Sequence, residues 1–147
     1  MQRHVTLTDA DGVTTRTVEV AATIGASESR RIWARSERLP TGAWAWVRST
    51  DGAFGVNRVF GGDVRDLHHG TEPPAWEAER TGETSAVVTI RAKSLTYQAR
   101  IIAGVPGVRY SDNYVDLRPG DEATITLDRL PADFDPATIT VRAYTAR

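Results

Sequence analysis

Glu77 and Glu79 stand two residues apart in the run Ala75-Trp76-Glu77-Ala78-Glu79-Arg80, which puts both carboxylates on one face of an extended strand. Two carboxylates roughly 5–9.5 Å apart can divide acid, base and nucleophile roles across a glycosidic bond. The same spacing on a solvated strand face is ordinary polar surface, and that reading is the stronger one here. His68 and His69 are adjacent, so their imidazoles point apart in an extended chain, and neither cysteine nor an H-x-x-x-H spacing accompanies them. Asp9-Ala10-Asp11-Gly12 opens like a calcium loop, but Val13 and Val20 stand where further oxygens should be. Asp112, Asn113 and Asp116 form a better oxygen cluster, with turn stabilisation as the expected task. No Ser-His-Asp order, nucleophile elbow, phosphate-cradling glycine loop or dinucleotide fingerprint is present. No metal and no cofactor are expected.

Trp44 and Trp46 pose a different question. Two residues apart on one strand, they face the same way at roughly 7 Å. Side-by-side aromatics of this kind can stack sugar rings, which makes the pair the basis of an alternative, an independent carbohydrate-binding module. Packing is favoured over it, because each ring buries a large apolar area and the interleaved Ala43, Ala45 and Val47 are small and apolar as well.

Apolar alternation places most of the chain on short strands. Val5 and Leu7 lead through Asp11-Gly12 to Val18, Val20 and Ala22. A third strand centres on Ile32-Trp33, and further strands cover 43–50 and 56–60. After Gly61 to Pro74, rich in glycine and proline, strands recur at 76–80, 86–93 and 97–101, then at 123–127, and a last one buries Ile139, Val141 and Ala143. Phe134 is the expected anchor of the crossover before that strand, and no helix longer than one turn is predicted. The rhythm is that of an all-β protein made of sandwiches. At 147 residues the chain has room for two small units, and its 25% charged and 40% hydrophobic content is that of a globular protein. A net charge of −1 without basic runs offers nothing to nucleic acid, and no stretch approaches the ~20 apolar residues of a membrane span. The absence of cysteine excludes disulfides, and without an apolar leader at the N-terminus the chain is expected in the cytoplasm.

The densest pattern is Gly107 to Leu127, G-V-R-Y-S-D-N-Y-V-D-L-R-P-G-D-E-A-T-I-T-L. Pro119 presets φ near −65° and Gly120 supplies the positive φ of a type II turn. Ser111-Asp112-Asn113 is expected to bond its side-chain oxygens to nearby backbone amides, with Tyr114 and Leu117 pointing inward. This segment resembles the signature near the C-terminus of the β-mannosidases of glycoside hydrolase family 2. Ser111, Asp112, Asn113, Tyr114, Asp116, Leu117, Pro119 and Gly120 fit it, while Val115 replaces an aromatic and Asp121 a glutamate. Val56-Asn57-Arg58-Val59-Phe60 with Asp66-Leu67 is similar, less specifically, to the strand and short connection between the last two immunoglobulin-like domains of those enzymes.

The resemblance implies two immunoglobulin-like sandwich units, an incomplete one at 1–62 and a fuller one at 72–147, joined by a linker at 63–71. On the same comparison the chain starts inside a domain, which would leave an open sheet edge for self-association. It further implies a non-catalytic accessory region whose partners are the catalytic domains of a parent hydrolase, in cis or as a separate chain. The family's acid/base glutamate follows an asparagine on a (β/α)₈ barrel, and this chain has neither an Asn-Glu dipeptide nor the length for such a barrel.

Overall fold

The computed structural model of the chain describes residues 2–10, 15–23, 25–29, 31, 34, 38–50, 54–67 and 72–144. They belong to two compact units, Met1–His68 and His69–Arg147. The described structure is all-β, with antiparallel sheets and single 3₁₀ turns, as the alternation of the sequence requires.

In the first unit β1 (Gln2–Ala10) and β2 (Thr15–Thr23) pair so that Val5 lies opposite Val20 and Leu7 opposite Val18. β3 (Trp44–Ser49) joins the other edge of β1, and β4 (Asn57–Phe60) lies outside β3, giving the order β2-β1-β3-β4. The first strand is therefore interior rather than an open edge, and among the described residues β2 and β4 are the outer strands of this sheet. The expected strand at Ile32-Trp33 and the turns at Asp11-Gly12 and Asp51-Gly52 lie outside the described residues.

Beyond Phe60 the β3–β4 ladder continues through Gly61, whose N–H donates to Ala43 O and whose carbonyl accepts from Gly42 N, both at 2.8 Å. A Cβ on Gly61 would lie 1.9 Å from the Pro40 carbonyl oxygen, so only glycine permits this backbone approach. The stretch marked as a linker begins with structure of its own. Asp63 caps a 3₁₀ turn over Val64–Asp66, and Leu67 after it is buried.

In the second unit the strands are β5 (Ala75–Gly82), β6 (Ser85–Arg91), β7 (Thr96–Ile102), β8 (Arg109–Tyr110), β9 (Val115–Leu117), β10 (Glu122–Asp128) and β11 (Thr140–Tyr144). One sheet runs β5-β6-β10-β8 and the other β11-β7-β9. Period-2 alternation sends Ala86, Val88 and Ile90 of β6 and Ile125 and Leu127 of β10 inward. They meet Ala99 and Ile101 of β7 and Leu117 of β9 in one core. The crossover from β10 to β11 is held at both ends. Phe134 and Ile139 are buried as the sequence predicts, and the Arg80 guanidinium donates to the carbonyls of Gly82, Glu83, Pro131 and Phe134. A 3₁₀ turn at Pro136–Thr138 is capped by Asp135, whose Oδ1 accepts from Ala137 N at 2.9 Å.

Because Ile125 is fully buried, Ile125→Ala should cost about 2–5 kcal/mol, seen as a lower urea midpoint at unchanged m-value. Its exposed neighbour Thr124, changed to Ala, should stay within about 0.5 kcal/mol.

Candidate functional site

The signature segment between β8 and β10 brings its polar side chains to backbone groups rather than to a cleft. Ser111 N donates to Thr126 O and Ser111 Oγ accepts from Thr126 N, both at 2.9 Å. This reciprocal pair carries the β8–β10 ladder one step past Tyr110. Asn113 does the same for β7 with its amide alone: Oδ1 accepts from Ile101 N at 2.9 Å and Nδ2 donates to Ile101 O at 3.1 Å. A side-chain amide thus stands in for a strand residue where no strand continues. Asp116 Oδ1 accepts from Gln98 N at 2.6 Å, at the bulge in β7 where Gln98 adopts φ +50°. Asp112 Oδ1 accepts from Asn113 N at 2.7 Å, the one local Asx contact of the expected kind besides Tyr114 N to Asn113 Oδ1 at 3.1 Å.

The turn that follows matches its sequence. Asp121 N donates to Arg118 O at 3.0 Å, and Gly120 sits at φ +84° after Pro119. Arg118 grips Asp121 with a two-point fork, Nε to Oδ2 at 2.8 Å and Nη2 to Oδ1 at 2.9 Å. Leu117 is buried as expected. Tyr114 is not: the inward orientation read from the sequence is wrong. At φ +66° its Cα turns the ring outward, leaving it 54% exposed with the Arg100 guanidinium 5.9 Å from its centroid.

The other candidates resolve individually. Glu77 does not face Glu79 across a cleft; its Oε1 accepts from Arg91 Nη2 at 2.8 Å on the open face of the β5-β6-β10-β8 sheet, and Glu79 is exposed on the same strand. Hydrogen bonding to Glu77, then to Glu122 at 2.7 Å, raises the Arg91 pKa above its usual value and keeps the guanidinium charged. Trp44 and Trp46 are each 3% exposed and meet edge to face, ring centroids 5.9 Å apart at 81°. The expected alternative of a sugar-stacking platform on these rings is corrected by that burial, since a sugar needs an accessible ring face. His68, His69 and Asp11 lie outside the described residues, and among the described residues no three His, Asp or Glu side chains gather as metal ligands would. The sequence reading missed one cluster. Arg100 of β7 lies opposite Arg142 of β11, beside the edge-to-face pair Tyr97 and Tyr144. Only the long-range β7–β11 register brings these four together.

No family model matches the sequence, and no curated protein sequence matches it. Among solved structures the chain is similar to β-D-mannosidase from Dictyoglomus thermophilum, with a TM-score of 0.67 and 15% identity. The match covers 99% of this chain and 19% of that one, so the chain spans about a fifth of the enzyme's length. At that identity the likeness shows a shared fold.

Replacing Asn113 by Ala strands the Ile101 N–H and C=O. It should cost about 1–3 kcal/mol in chemical denaturation, whereas Asn113→Asp, which keeps the acceptor, should cost less. Gly120→Ala should cost about 1–2 kcal/mol through backbone conformation alone, because the added methyl meets open space.

Proposed function

We propose that this chain is a non-catalytic accessory region of a β-mannosidase-like hydrolase of glycoside hydrolase family 2, supporting the catalytic barrel and the packing of domains or subunits. The observation that carries the reading is the match of nearly the whole chain, 99% of it, to a 19% portion of a β-D-mannosidase. The Ser111–Gly120 signature supports it independently, and its side chains are bonded to backbone ladders. On this reading hydrolysis belongs to carboxylates of the parent barrel, outside the residues of this chain. The partner is that barrel, in cis or as a separate chain, and the setting is cytoplasmic.

Two assays test the proposal. The purified chain should release no phenol from an aryl β-mannoside; turnover that disappears in Glu77→Gln would overturn the non-catalytic reading. Added to the separately produced catalytic barrel of a β-mannosidase from the same organism, the chain should co-elute with it and lengthen its half-life on heating. Separate elution with an unchanged half-life would remove the supporting role.

A further inference from the structure

We infer that the outward face of the β11-β7-β9 sheet is a docking surface for an acidic segment of a partner protein, seated on Arg100 and Arg142. Elsewhere in this unit, cross-strand register pairs opposite charges: Arg91 lies opposite Glu122, and Arg109 opposite Asp128. Arg100 and Arg142 break the pattern, lying directly opposite each other on β7 and β11. Like charges at directly opposed positions oppose sheet pairing. Both are exposed, and among the described residues neither is ion-paired with a carboxylate. Asp116 of β9 accepts from the Gln98 amide. Among the described residues, then, no carboxylate closes on these two cations, and a partner's carboxylates would do so.

The surroundings fit a protein partner. Tyr97 and Tyr144 meet edge to face at 87°, and the Arg100 guanidinium lies over the Tyr114 ring. These rings do not form the coplanar platform that sugar stacking uses, whereas arginine and tyrosine together are the side chains that anchor protein interfaces. Tyr114 is also held at φ +66°, an unfavourable conformation for an aromatic residue, and that conformation is what brings its ring out to this face. Two local costs, opposed charges and a strained backbone, thus fall on one surface.

This surface deepens the accessory reading, on which the choice of a protein partner rests. The probe is the peptide Thr-Glu-Thr-Glu-Thr-Glu-Thr added to ¹⁵N-labelled chain. Shifts should concentrate at Tyr97, Arg100, Arg142 and Tyr144, and affinity should fall as NaCl rises from about 50 to about 500 mM. Arg100→Gln and Arg142→Gln should each weaken the peptide about tenfold or more while leaving Tm unchanged or higher, because the opposed charges are relieved. Tyr114→Gly should likewise weaken binding without lowering Tm. Shifts that miss this face, affinities unchanged in both arginine variants, equal binding of the Gln-for-Glu peptide, or tighter binding of oligomannuronate would each overturn the inference. If the peptide fails while the chain still co-elutes with a barrel, the accessory role stands and this surface is wrong; peptide binding without co-elution gives the reverse.

Discussion

Ile101 lies with its side chain between two sheets and with its N–H and C=O both bonded to the Asn113 amide, and the second unit depends on meeting those demands together. A strand that buries one face must still satisfy the hydrogen bonds along its edges. β7 has β11 on one side, but on the other only Val115 and Leu117 of the short β9 stand in register with it. The bend after β8 covers the rest with side chains. Asn113 takes Ile101, Asp116 takes Gln98 at the bulge, and on the opposite sheet Ser111 takes Thr126. The packing fixes where the backbone lies, and these polar residues let it stay there without orphaned groups.

That constraint gives a segment dense in Asp, Asn and Ser a structural task. A carboxylate or amide already accepting from a backbone N–H at 2.6–2.9 Å has a structural partner. On the other sheet Glu77 and Glu122 are likewise balanced, flanking Arg91. The balance fails at the opposed Arg100 and Arg142, a juxtaposition from which sheet pairing gains nothing.

Much of this was legible in residue order. The alternations at 86–90, 123–127 and 139–143 are read directly because a strand's period is two, and they place the core of the second unit. Pro119-Gly120 announces its turn because each residue restricts φ in a known way. Three features were hidden for physical reasons. Tyr114 at positive φ cannot be foreseen, since nothing in its type favours that conformation; its N–H donates to the neighbouring Asn113 Oδ1, which also accepts from Ile101 N. The partners of Asn113 and Asp116 lie twelve and eighteen residues away, beyond the local Asx geometry that sequence suggests. The burial of Trp44 and Trp46 agrees with the favoured packing reading, but the angle at which their rings meet depends on what covers the strand, which alternation does not report.

Amide hydrogen exchange of the intact chain tests the central claim most directly. If side chains of the bend complete the ladders, the amides of Gln98, Ile101 and Thr126 should exchange as slowly as core strand amides such as those of Val88 and Ile125. Exchange at those three positions as fast as in the exposed loop around Pro106 would show that the bend does not hold the sheets, and would contradict the account.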